Sequence, residues 1–213
     1  MARRTLPTAV AFATTAALVL TACGGSDDSS SDDIKGADKG SGSPSASAPP
    51  SKASDAKRPA IKLPSTFQLT FENWTSDDAD KQAVLNDGKE ELRAGYAAII
   101  ANEPDGGDAL AFYTTEPGLS QAQLWIKTYT AKNLTVIGEL PAYDAKVTLA
   151  NKGAASLSYC TDESKASTKQ RKTGEVEGNP AGTDPKVQYV ITMVKNAQDV
   201  WQTDTVISKR GGC

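Results

Sequence analysis

The spacing of the apolar residues changes once along this chain, near Leu134, and that change limits the fold more than any other feature. Before it, Val84, Leu85, Leu92, Tyr96, Ile99 and Ile100 recur at helical spacing and form one stripe. After it, Val187, Tyr189, Ile191 and Met193 alternate with polar residues, and so do Trp201, Thr203, Thr205 and Ile207. Period two belongs to a strand with one covered face. An earlier alternating segment, Phe67-x-Leu69-x-Phe71, predicts a short strand ahead of the helices. Helices followed by a run of antiparallel strands is the α+β order, with N-terminal helices laid on one face of a curved antiparallel sheet.

The element boundaries follow from local chemistry. Thr75, with Asp78 three residues on, predicts a capped helix start. That helix runs to about Ala101, and Gly88 and Gly95 weaken it and allow a bend. A short helix is expected over 108–115, a break at Pro117-Gly118, and a third helix over 119–132. Val136 to Leu149 reads as a long strand bent near Gly138 or Pro141, and Ala155 to Tyr159 as the next. Residues 166–176 read as an exposed strand or hairpin arm, and Asn179 to Gly182 as a loop. Asp78-x-Asp80 is no calcium loop, because Ala83 stands where the turn requires Gly.

The N-terminal 60 residues have a different character. Arg3 and Arg4 precede an uncharged apolar stretch, Leu6 to Leu20, too short to span a bilayer as a permanent helix. It ends in Leu20-Thr21-Ala22-Cys23, which resembles a bacterial lipobox and makes Cys23 the expected lipidated first residue after removal of 1–22. Two or more acyl chains hold a protein stably to a membrane where one does not. Residues 24–60 carry ten Ser, six Asp and no aromatic residue, a composition that cannot bury enough apolar surface to fold. They are expected to act as a disordered tether with a span of roughly 30–35 Å. The folded domain is then 61–213, at the extracytoplasmic face of the cell membrane.

Charge and composition exclude some functions. The formal charge is −3, which argues against a nucleic-acid partner. Histidine is absent, so the commonest metal ligand and the commonest general base near neutral pH are missing. Two cysteines in the folded region cannot fill a zinc site without carboxylates. No cofactor and no metal are expected.

Several pieces occur together in order: Leu63-Pro64 before an aromatic strand, the Asp-rich helix start, Gly138, Ser158 to Ser164, Lys172-Thr173-Gly174, Asp199-Val200-Trp201 and the C-terminal Cys213. In this the chain resembles secreted lipoproteins of Gram-positive bacteria that carry a nuclear transport factor 2-like (cystatin-like) domain. The resemblance implies a cone: one long helix and two shorter ones across a bent sheet. It implies little chemistry, since most such lipoproteins have no assigned activity. Catalytic members of the fold use an acid/base pair inside the cone, and here no Asp is assigned to an interior position.

The candidate site residues carry alternatives. Cys160 and Cys213, outside the membrane, are expected to form a structural disulfide, worth about 4 kcal/mol by chain entropy. Tyr96, Trp125, Tyr159, Tyr189 and Trp201 either line a cone cavity for a small hydrophobic ligand or form plain core. Asp162, Glu163 and Ser164 either line a mouth or serve a turn. Lys165, Lys169, Arg171 and Lys172 either touch anionic wall polymer or headgroups, or guard a solvated edge. The expected role is a non-enzymatic binding or scaffold domain, anchored through Cys23, with an envelope protein, wall polymer or small hydrophobic ligand as partner. The alternative is an isomerase- or cyclase-type enzyme, which requires a hollow cone with an inward carboxylate.

Overall fold

The computed structural model describes residues 56–213, so the leader, Cys23 and most of the tether lie outside the described residues. The elements run β1 (Phe67–Phe71), α1 (Ala79–Ala101), α2 (Gly107–Phe112), α3 (Glu116–Thr130), β2 (Leu134–Ala150), β3 (Ala154–Asp162), β4 (Ala166–Gln170), β5 (Val176–Glu177), β6 (Lys186–Lys195) and β7 (Trp201–Arg210). The expected α+β class is the observed one: three helices on one face of a curved, mainly antiparallel sheet.

Strand β2 organises the sheet. Its first half pairs with β4 and its second half with β3, both antiparallel. The two registers nearly continue one another, from Gly138↔Ala166 to Ala142↔Thr161, so β3 and β4 lie end to end along one edge of β2. β1 pairs in parallel with Gly138 to Ala142. Hydrogen bonds from Gly138 N to Thr66 O and from Glu139 N to Lys165 O point oppositely, which places β1 on the other edge. β6 pairs with β3, and β7 with β6. The parallel β1 departs from the all-antiparallel expectation, because α1, α2 and α3 return the chain to the same end of the sheet before β2 begins.

The bend in β2 has a local cause at each end. Gly138 sits at φ 96°, where a side chain would strike the Lys165 carbonyl. A register shift between Tyr143 and Lys146 contains Asp144 at φ 54°. Bulges of this kind increase twist and curl the strand.

Helix α1 starts later than Thr75. Asp78 is the N-cap, its Oδ1 accepting from Asp80 N at 2.9 Å and Lys81 N at 3.1 Å. Helix α3 starts earlier than expected, with Thr115 as N-cap and Pro117 in the first turn, where no N–H is needed. Arg171 donates to the carbonyls of Ile99 and Ile100 at the end of α1, and Lys165 pairs with Glu139 at 3.2 Å. The supposed basic patch is therefore divided among different tasks.

The folded part begins before residue 61. Arg58 makes a bidentate ion pair with buried Asp87, its Nη2 2.8 Å from Oδ1 and 3.0 Å from Oδ2. Asp87 Oδ2 also accepts from Trp201 N at 2.9 Å. One carboxylate thus joins the end of the tether, α1 and β7. Cys160 and Cys213 form the expected disulfide, with their Cα atoms 6.1 Å apart. It fixes the C-terminus against β3.

Gly88 and Gly95 are places of close approach. A Cβ at Gly95 would lie 2.8 Å from the Trp125 ring, and one at Gly88 would lie 2.6 Å from Leu157 Cδ2. Substituting Ala for Gly raises helix propensity by about 1 kcal/mol, whereas overpacking a rigid indole costs about 1–3 kcal/mol. Gly95→Ala is therefore expected to lower stability by up to about 2 kcal/mol in urea unfolding. A stability gain would show that α3 yields freely.

Candidate functional site

The concave face of the sheet is built by one set of alternating residues. Tyr159 pairs with Tyr189, Leu157 with Ile191 and Thr161 with Val187 in the β3–β6 register. In the β6–β7 register Ile191 pairs with Val206, Tyr189 with Ser208 and Val187 with Arg210. All of these side chains leave the same side of the sheet, toward α1 and α3. At one end the space is filled: Trp74, Leu157, Met193 and Val84 are almost fully buried. At the other end it is hollow.

The hollow is a cavity of about 340 Å³, within the usual size range of small-molecule sites. Glu91, Leu92 and Tyr96 of α1, with Tyr159, Val187 and Ile191 of the sheet, are its buried floor. Gln121, Ser208 and Arg210 are exposed at its rim. Gln121 holds that rim: its amide donates to Val206 O at 2.6 Å and accepts from Val206 N at 2.9 Å. The α3 side chain pairs with the open edge of β7 much as a neighbouring strand would.

Aromatic rings form two walls. On the helix side, Trp125 stands nearly perpendicular to Tyr96, at 89° with centroids 5.2 Å apart, and to Tyr129, at 82° and 6.0 Å. On the sheet side, Tyr159 and Tyr189 stack at 17° and 5.1 Å. Burial, then the Glu163 charge, pushes the Tyr189 phenol up to about 12. Burial raises the phenols of Tyr96 and Tyr159 further, so all of them are neutral donors at physiological pH.

The carboxylates divide sharply. Glu163, at the edge of the cavity, is bound to Arg210 at 2.6 Å, and Arg210 also donates to Asp184 O at 2.8 Å. Glu91 is 8% exposed and makes no hydrogen bond or ion pair among the described residues. Burial pushes its carboxyl up to about 7. A lone carboxyl in such a setting can bind a cation, donate from its acid form, or take a proton. Asp87, one turn earlier, is also raised by burial, but the Trp201 N–H and Arg58 oppose the shift.

Of the candidate lining residues, Tyr96, Trp125, Tyr159 and Tyr189 line the cavity, and so does Tyr129. Trp201 does not. It is buried beside Asp87, with Lys195 Nζ 5.2 Å from its ring centroid. Asp162 serves a turn, its Oδ1 accepting from Ser164 N at 2.8 Å, and the Ser164 hydroxyl, then that N–H, hold its carboxyl below the usual value. Its neighbour Glu163 lines the cavity. Sequence alone assigns no Asp to an interior position; the structure buries Asp87 and Glu91. Both sit on the helical stripe through Val84, Gly88 and Gly95, a signal hidden when only apolar residues are counted. Among the described residues no group of His, Cys, Asp and Glu is placed to hold a metal ion.

No family model matches the chain, and no curated relative is matched. Among solved structures, Aln2 from a Streptomyces species is 12% identical, covering 60% of this chain and 90% of its own, with a TM-score of 0.43. A ketosteroid isomerase-like protein from Erwinia carotovora is 14% identical, with coverages of 57% and 92% and a TM-score of 0.38. A nuclear transport factor 2-like superfamily protein from Salmonella enterica is 16% identical, with coverages of 59% and 89% and a TM-score of 0.39. Similarity at this level assigns no activity to the chain.

Glu91 makes a directional prediction. Its ordinary value is 4.5 and its folded value about 7. The folded state therefore holds the proton more tightly than the unfolded state. The Glu91 contribution to stability is therefore greatest below pH 4.5, falls as pH rises toward 7, and then levels off. Two and a half units correspond to about 3 kcal/mol. Glu91→Gln removes this dependence, so its stability relative to wild type should rise by about 3 kcal/mol between about pH 4.5 and pH 8 in urea titrations. A difference that does not change with pH would contradict the assignment.

Proposed function

We propose that this chain is a membrane-anchored extracytoplasmic lipoprotein whose cone domain holds a small, mainly apolar ligand. The observation that carries the reading is the half-filled cone: one end is packed core, and the other is a cavity walled by aromatic rings with, at its floor, a carboxyl that has no partner among the described residues. Cavities with apolar walls and few polar groups are the usual form of small-molecule sites. The anchor rests on the lipobox-like Leu20 to Cys23 and the polar tether after it. In this reading the tether holds the cavity clear of the headgroups, and the disulfide suits an oxidising compartment.

A second reading makes the domain an enzyme of the isomerase or cyclase kind. Glu91 favours it, because a carboxyl that titrates near neutral pH can take and return a proton with little driving force lost either way. The neutral phenols of Tyr96, Tyr159 and Tyr189 would then donate to a developing oxyanion. Histidine is not needed for such a pair.

Two measurements test the proposal. Cells fed an alkyne fatty acid should label the wild-type chain and not Cys23→Ala; an unlabelled wild type would remove the anchor. In the full-length chain a neutral dye, N-phenylnaphthylamine, should brighten on binding with micromolar affinity. Ala122→Trp, which fills the cavity from α3, should weaken that binding at least about tenfold. Equal binding by the variant would place the dye elsewhere and remove the cavity as the site.

A further inference from the structure

We infer that the ligand is an amphiphilic cation, a quaternary or protonated amine with an apolar body, seated against Glu91. The inference rests on the ligand-binding reading above and adds the charge of what is bound.

The argument begins with the net charge inside the cavity. Glu163 is neutralised by Arg210, and Asp87 by Arg58. The other titratable groups facing the hollow are Tyr96 on α1, Tyr129 on α3, Tyr159 on β3 and Tyr189 on β6, all held neutral by burial. Above neutral pH the one uncompensated charge among the described residues lining the cavity is therefore that of Glu91. Glu91 is more than nine-tenths buried, and its carboxyl has no partner among the described residues. No described residue supplies a cation to it, although Arg58 supplies one to Asp87 a single turn away.

The ring geometry fits the same occupant. An ammonium group is attracted to the face of an aromatic ring and can satisfy several faces at once only where the rings meet at an angle. Trp125 stands perpendicular to Tyr96 and to Tyr129, and the stacked Tyr159–Tyr189 pair forms the opposite wall. The rings bring no charge of their own, so they attract a cation without competing for Glu91. An anionic ligand would meet an unpaired carboxylate. A neutral one would leave that carboxylate buried and unsolvated.

Displacement of N-phenylnaphthylamine from the full-length protein at about pH 8, where Glu91 is charged in the empty cavity, separates these cases. Benzyltrimethylammonium and its uncharged carbon isostere, neopentylbenzene, have the same shape. The cation should displace the dye at a concentration about tenfold or more below that of the isostere. Glu91→Gln should reduce that preference to near unity, and Trp125→Leu should reduce it severalfold. If the two probes displace equally, or the isostere displaces better, the cation assignment fails while the cavity remains a ligand site. A cation preference unchanged in Glu91→Gln overturns the role of Glu91. If neither probe displaces the dye, the cation inference fails, while the ligand-binding reading still stands or falls on whether Ala122→Trp weakens dye binding.

Discussion

A carboxyl group buried without a counter-charge sets the terms for this domain. Moving an ionised carboxylate out of water costs several kcal/mol unless protonation or a partner offsets it. Glu91 meets that constraint by remaining largely protonated until near neutral pH. Asp87 meets it by drawing in Arg58 and the Trp201 amide. Two acidic residues on one face of α1, a turn apart, are thus treated in opposite ways. One is part of the framework, and the other is left available. Retaining a destabilising group where Gln would fit sterically is the pattern expected where stability has been exchanged for function.

The rest of the architecture explains why there is space around Glu91. Gly88 and Gly95 flank it on the same helix face. At Gly88 the sheet comes within contact of the helix backbone through Leu157, and at Gly95 the α3 indole does the same. The cavity opens between these elements, in a sheet that Gly138 and the irregularity at Tyr143 to Lys146 bend along β2. Gln121 and the disulfide secure the rim, through the β7 edge and the chain end respectively. The hollow follows from a few close contacts on either side of it rather than from a general looseness of packing.

Much of the scaffold was legible in the sequence. The alternation in β6 and β7 and the stripe of α1 give the correct element types, and the change of period gives the class. The parallel pairing of β1 was not legible, because an alternating five-residue segment contains nothing about the direction of its neighbour. The helix starts slipped because Asp78 and Thr115 compete with nearby residues of equal capping ability, and only tertiary contacts, such as Thr115 with Asp204 at 2.8 Å, decide between them. Four of the five candidate aromatic residues border the cavity, since long rings on inward positions have few other places to go. Trp201 was misplaced because β7 crosses from the packed end of the cone to the open end, and its first residue belongs to the packed end. The floor residue itself was invisible to a count of apolar positions. A count that also asked which charged residues interrupt the stripe would have found Asp87 and Glu91 together.

The account depends most directly on the protonation of one side chain. Carbon-13 labelling of the glutamate carboxyls, with Glu91 assigned by its loss in Glu91→Gln, allows its titration to be followed by NMR in the full-length chain. The account predicts a midpoint near 7 in the empty protein, moving downward when a cationic ligand is bound. A midpoint near the ordinary 4.5 would mean that water or a partner already solvates this carboxyl, and would contradict the central claim.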